Sequence, residues 1–222
     1  MMNSLDFWSP VILSLRVALL AGTAAFVCAI WAVWRMTIRK FPGLTVIETL
    51  FMLPLVLPPT VVGFLLLVIF GRRSWVGQAF ETLFNMPIVF TWGAAVIAAS
   101  VVAFPLAYQT LKAGFTSIDR DLLAVGRSMG ASEFQLLCFV ILPLARRSLL
   151  TAFILAFTRS LGEFGATLML AGNIPGRTQT LPTAIYIAVD TNDLSSAWLW
   201  AGLMVLMSFV LLLCARISAE RE

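Results

Sequence analysis

Charged positions along this chain cluster at the edges of long apolar blocks. Residues 17–34, 49–71, 82–111 and 194–215 contain no Asp, Glu, Lys or Arg, and each block is at least 18 residues long. About 20 predominantly apolar residues in a helix cross the roughly 30 Å hydrocarbon layer of a membrane. A fifth block, 148–171, is as long but carries Arg159 and Glu163. The pattern predicts an all-α integral membrane protein, one domain over 1–222, with five transmembrane helices at about 11–34, 47–70, 91–112, 148–171 and 194–215. Between the third and fourth spans lies a more polar segment, 113–147.

Composition agrees: 60% of the 222 residues are hydrophobic and 12% charged, against about a quarter charged in soluble domains. Charge then sets the orientation. With the N-terminus outside, the cytoplasmic segments hold ten basic residues: Arg35, Arg39, Lys40, Lys112, Arg120, Arg127, Arg146, Arg147, Arg216 and Arg221. The outer loops hold three, Arg72, Arg73 and Arg177. Basic loops stay in the cytoplasm, so the expected arrangement is N-terminus out and C-terminus in. The opening "MMNSLDFWSP" has no basic stretch and carries Asp6, which argues against a cleaved signal peptide. The net charge of +4 is thus a topology signal, and nothing forms the clustered basic face that nucleic acid requires.

Several chemistries lack their parts. The chain has no histidine, which removes Ser-His and Cys-His dyads and most zinc or haem sites. Its only lysines, Lys40 and Lys112, lie outside any GxxxxGK[ST] phosphate loop. Cys28 and Cys214 fall within spans, Cys138 lies in the polar segment, and no CxxC pair exists. A pore-forming or carrier subunit is the expectation. A stand-alone ion-coupled carrier or channel is the rival class, but such folds often show paired halves, and here the span count is odd and no repeat is visible.

The segment 113–147 has orderly local signals. Asp119 and Asp121 are placed to cap a short helix over "LLAVGRSM", which Gly130 ends in a left-handed conformation. Ser132 and Gln135 then form a capping box. Phe134, Leu137, Cys138 and Ile141 follow at i, i+3, i+4 and i+7, one apolar stripe, and Pro143 stops that helix or opens the next. The stripe packs either on the chain's own helix ends or on another protein.

Within the spans, Pro54, Pro58, Pro59 and Gly63 kink the second helix, as a packing bend or as a bend lining a pathway. Arg159 and Glu163 are four apart on one helical face. They pair structurally, or they border a translocation path or its gate, because charge at that depth needs a partner or water. The outer stretch "GNIPGRTQTLPTAIYIAVDTND" is punctuated by Gly172, Pro175, Gly176 and Pro182, and "TAIYIAV" reads as a short helix on the membrane surface. Arg177 there meets an outer partner or a passing anion, or simply anchors at the interface. Gly126/Gly130 and Gly172/Gly176 match GxxxG outside any apolar 20-residue stretch, so they are not dimerisation motifs.

A resemblance connects these pieces. Gly130, followed nine residues later by Val140-Ile141-Leu142-Pro143, resembles the cytoplasmic loop of bacterial ABC importer permeases, with Ala124-Val125-Gly126 where Glu-Ala-Ala is usual. "LPPTVVG", "SLGEFGAT" and "GNIPGRTQTLP" together are similar to the molybdate-type members, over about residues 10 to 215. The resemblance implies a type I importer permease in the cell inner membrane, working as a homodimer. Gly126, Gly130, Ser132, Phe134, Leu137, Leu142 and Pro143 would form the loop that couples to an ATPase, two copies of which bind ATP and magnesium. This chain itself would bind no cofactor. A periplasmic oxyanion-binding protein would deliver molybdate, with tungstate or sulfate as alternatives. Pro58, Pro59, Arg159 and Glu163 would lie at the path or gate, and Arg177 at the periplasmic contact.

Overall fold

The computed structural model describes the backbone of residues 4–38 and 42–220, and side chains of 7–37 and 42–213. Arg39, Lys40 and Arg221, counted above for orientation, lie outside the described residues, as do the side chains of Asp6, Cys214 and Arg216. Among the described residues the regular structure is entirely helical. In chain order it begins with α1 (Ser4–Ile38), α2 (Leu44–Val56), α3 (Pro59–Phe70), α4 (Trp75–Phe84), α5 (Trp92–Thr116), α6 (Arg120–Ser128) and α7 (Glu133–Leu136). A π-helical turn, Leu137–Ile141, leads into α8 (Leu142–Leu144), α9 (Arg146–Leu161), α10 (Gly165–Ala171), α11 (Leu181–Asp190) and α12 (Leu194–Glu220).

Three apolar helices are long enough to cross a membrane alone: Phe7–Thr37 within α1, Trp92–Thr116 and Leu194–Leu213 within α12. By length and composition alone, two bent pairs allow up to five spans, Leu44–Val56 with Pro59–Phe70 and, across an 81° bend, Glu133–Leu144 with Arg146–Leu161. Two expected spans are therefore not single helices. The second breaks by 117° between α2 and α3. The fourth, expected over 148–171, is α9 and α10 separated at residues 162–164. Pro105 lies inside α5 without interrupting it.

Helix α5 is the hub, because its inward positions are small. Ala94, Ala95, Ala98, Ala99, Ala103 and Ala107 are fully buried, which lets neighbouring backbones approach where no hydrophobic drive separates lipid from protein. Two buried clusters flank it. One joins α1, α5 and α9 around Ala29, Tyr108, Leu111 and Ala152. The other joins α1, α3, α5 and α10 around Val62, Leu66, Val102 and Leu170. A third cluster docks α11 between α1 and α12 through Val11, Leu181, Ala184 and Trp200. Helix α11 thus packs one face against α1 and α12, with Tyr186 and Val189 left exposed on the other. One hydrogen bond seats it on α1, Leu181 N donating to Ser14 Oγ at 2.6 Å, and another ties α12 to α1, Trp200 Nε1 donating to the Phe7 carbonyl at 3.2 Å.

Candidate functional site

The two breaks in the spans meet. At the first, Leu57 is extended because it precedes a proline, and Pro59 takes the first position of α3, where a missing N–H costs no hydrogen bond. At the second, Glu163 lies in the middle of the gap 162–164, ahead of α10. Its Oε1 accepts from Ala166 N at 2.9 Å, and its Oε2 accepts from Arg159 Nη1 at 2.8 Å. The Glu163 side chain is 1% exposed and that of Arg159 30%. The carboxylate is therefore a buried helix cap, and the arginine is its counter-ion with one side open.

Glycines let the broken ends touch. A Cβ on Gly165 would lie 3.1 Å from Pro59 Cβ and 3.2 Å from Thr60 N. A Cβ on Gly63 would lie 2.7 Å from both Ala166 Cα and Met169 Cβ. "LPPTVVG" and "GEFGAT", about 100 residues apart in sequence, thus form one contact. Of the expected path residues, Pro59 and Glu163 sit at this junction, Pro58 forms its bend, and Arg159 stands one turn below. Phe164 carries the contact outward, its ring 5.2 Å from that of Tyr186 on α11. Arg177 lies in the turn before α11, where Ile174 O accepts from the N–H groups of residues 177, 178 and 179, and it is exposed.

The elbow between α5 and α9 is rigid for reasons visible in its bonds. Asp119 caps α6 by accepting from Asp121 N at 2.9 Å. Gly130, at φ 88°, ends α6: Gly130 N donates to the Arg127 carbonyl and Ala131 N to the Gly126 carbonyl, the paired pattern of a left-handed helix stop. The Ser132–Gln135 capping box is complete. Arg127 and Glu133 close the corner with two hydrogen bonds of 2.7 and 3.1 Å, which holds the Glu133 carboxyl below its ordinary range. Gly126 lets α6 lie close on α7, since a Cβ there would come within 2.6 Å of Leu136 Cδ2. Pro143 sits in the second position of α8, directly after Leu142.

The expected apolar stripe divides. Leu137 and Ile141 are 5% and 6% exposed and pack into the chain's own core, so Leu137 is not a surface residue. Phe134 stays exposed, its ring edge-on to Trp34 at 6.2 Å. The uncovered apolar stripe is instead on α6: Leu122, Val125 and Met129, at i, i+3 and i+7, with Met129 83% exposed. That spacing was present in the sequence, hidden inside a helix read only for its caps. A second group missed by sequence reasoning is Glu48 with Tyr108 and Lys112. Glu48 Oε1 accepts from Tyr108 Oη at 2.9 Å and from Lys112 Nζ at 2.6 Å, tying α2 to α5. The signal was their position, each charge one residue outside an apolar block. Among the described residues no group of three or more His, Cys, Asp or Glu could hold a metal.

Apolar helices of membrane length, two broken spans and an elbow held by its own caps and ion pair make up the architecture of a multi-pass membrane subunit. The chain belongs to the family of binding-protein-dependent transport system inner membrane components, whose model matches residues 21–221. It is 53% identical to the putative molybdenum transport system permease protein YvgM of Bacillus subtilis (strain 168), covering 93% of this chain and 91% of that one. It is 38% identical to the molybdenum transport system permease protein ModB of Escherichia coli (strain K12), covering 96% of each. In fold it resembles a bacterial ABC transporter involved in the import of the acidic polysaccharide alginate, with a TM-score of 0.79 at 16% identity, over 99% of this chain and 80% of the other.

Proposed function

We propose that this chain is the permease of an ATP-driven molybdate importer, a single membrane domain that works as two copies with its N-terminus outside and its C-terminus in the cytoplasm. The observation that carries this reading is the elbow, whose apolar residues Leu122, Val125 and Met129 are left uncovered by its own bundle, as is Phe134. Such a surface needs a protein cover, and a separate ATPase holding ATP and magnesium supplies it. The names of the relatives, at 38% and 53% identity, favour molybdate as cargo.

The geometry suggests how coupling runs. The elbow is locked by its cap, its left-handed turn and its ion pair, so it moves as a body. Its π-turn and α8 run into α9, whose 16 residues reach the Glu163 break. Drawing two elbows together as the ATPases close would tilt α9 and shift the α3–α10 contact between Pro59 and Gly165. Two packings of that contact would give outward and inward states, the bistability that alternating access requires. A periplasmic oxyanion-binding protein would deliver the anion on the outer side of the bundle.

Reconstitution in proteoliposomes with the ATPase and binding protein tests the reading. Molybdate uptake should require both partners and ATP, and tungstate and sulfate as competitors rank the cargo. Uptake that persists without ATP or the binding protein would overturn it. For orientation, Arg73→Cys and Pro175→Cys, in a background lacking Cys28, Cys138 and Cys214, should react with an impermeant reagent from outside. Ser128→Cys should react only after permeabilisation, and the reverse pattern would invert the topology.

A further inference from the structure

Between Phe7 and Trp34, helix α1 carries one charge, on an otherwise apolar outer side. Ile12, Leu15, Leu19, Leu20, Val27 and Trp31 are exposed along it, and Arg16 is exposed towards the N-terminal end of that face. The next charge is Arg35, and 35 − 16 = 19 residues separate them. At about 1.5 Å per residue this is roughly 28 Å, close to the hydrocarbon thickness of about 30 Å. Trp34 touches Phe134, so the Arg35 end of α1 lies at the elbow. Arg16 therefore marks the opposite hydrocarbon boundary, at the level of lipid headgroups.

Arg177 comes to the same place from 161 residues away (177 − 16). Arg16, Arg177, Leu13, Leu19, Leu20 and Trp92 line one cavity of about 530 Å³. Among the described residues no carboxylate lines it, and neither guanidinium has an ion-pair partner. Two uncompensated arginines over a leucine wall at headgroup depth match one chemistry: a tetrahedral oxyanion attached to a hydrocarbon chain. Arginine forks suit phosphate oxygens, and an indole beside them suits the interface.

We propose that this cavity binds the phosphate of an anionic phospholipid, with Arg16 and Arg177 on the phosphate, Trp92 at the glycerol level and Leu13, Leu19 and Leu20 along the upper acyl chain. A free oxyanion shares the headgroup chemistry, but it gains nothing from the leucines, and neither Pro59 nor Glu163 lines this cavity. The bound lipid would brace the loop before α11 against α1, beside the Ser14–Leu181 hydrogen bond. The assignment rests on the proposed function only for naming the outer leaflet. Lipid titration reads the site whether or not uptake succeeds.

The test is native mass spectrometry of the delipidated full-length permease titrated with phosphatidylglycerol, phosphatidylcholine, inorganic phosphate and molybdate. Phosphatidylglycerol should bind above phosphatidylcholine. Arg16→Gln and Arg177→Gln should each weaken it about fivefold, and together about 25-fold, as expected for roughly 1 kcal/mol per arginine near a lipid surface. Melting in detergent checks that the variants fold. The pair Arg16→Lys and Arg177→Lys, which keeps the charge, should bind better than the glutamine pair. The proposal is overturned if the folded double-glutamine variant retains phosphatidylglycerol like the parent, or if the lysine pair binds no better than it. Displacement of the lipid by phosphate or molybdate at equal concentration would overturn it in favour of a soluble oxyanion site.

Discussion

Separating Arg159 from Glu163 tests what the buried pair does, and the structure makes the two halves unequal. Glu163 is 1% exposed in its side chain and keeps only the Ala166 N–H if Arg159 is lost. Arg159→Met therefore leaves a carboxylate enclosed without its counter-ion, a change worth about 3–5 kcal/mol. Glu163→Gln is milder. The amide oxygen can still accept from Ala166 N, and the guanidinium, 30% exposed, retains one open side. The loss is then about 1.5–3 kcal/mol, the range for a hydrogen bond to a charged group. For a chain of this size, about 2–4 °C of melting temperature goes with each kcal/mol, so Arg159→Met should melt roughly 6–20 °C lower and Glu163→Gln by less. The double variant Arg159→Met with Glu163→Gln removes both charges and should recover most of the stability. Thermal melting in detergent measures this, with binding-protein-dependent uptake measured on the same samples. Glu163→Gln melting lower than Arg159→Met would refute the argument from burial. If the arginine also serves the path, the double variant folds but does not transport, and full uptake would refute that role.

Gly63→Ala should lower stability by about 1–3 kcal/mol, because its Cβ would press 2.7 Å from Ala166 Cα, whereas Gly202→Ala, in open space, should leave melting unchanged. Equal melting of the two variants would dissolve the α3–α10 contact as a constraint. On the elbow, Val125→Asp and Met129→Asp should abolish ATPase co-purification and shift melting by no more than about 2 °C, as exposed positions do. Leu137→Asp should lower the melting temperature itself, since it buries a charge, and undiminished ATPase recovery with both exposed variants would end the docking argument. Glu133 is held below its ordinary value by its hydrogen bonds to Arg127, so the pair stabilises the elbow above that ordinary value and is lost as pH falls through the lower folded one. Over residues 131–136 the hydrogen-exchange protection, after division by the pH-dependent intrinsic rate, should be flat across neutral pH and fall only below about 4.5, and Glu133→Gln should remove that acid step.

The local devices of this protein were legible because each is closed within a few residues. The stop at Gly130, the cap at Asp119 and the Ser132–Gln135 box use bonds between neighbours, and hydrocarbon thickness alone converts the charge-free blocks into membrane helices. The spacing of four brought Arg159 and Glu163 within reach of each other, but α9 ends at Leu161, so the pair closes across the helix end and not along one helical face. Prolines announced a bend after α2, but not its 117°, because a missing hydrogen bond permits an angle that only a packing partner sets. That partner is α10, reached through Gly63 and Gly165, and no periodicity in either segment names the other. The same limit applied to the elbow. Apolar spacing says that a stripe must be covered, and tertiary contact decided that Leu137 and Ile141 were covered by the chain's own core while Val125 and Met129 were not. Burial is a property of what lies opposite a residue, so the tertiary structure decided it, along with the meeting of Arg16 and Arg177 over one cavity.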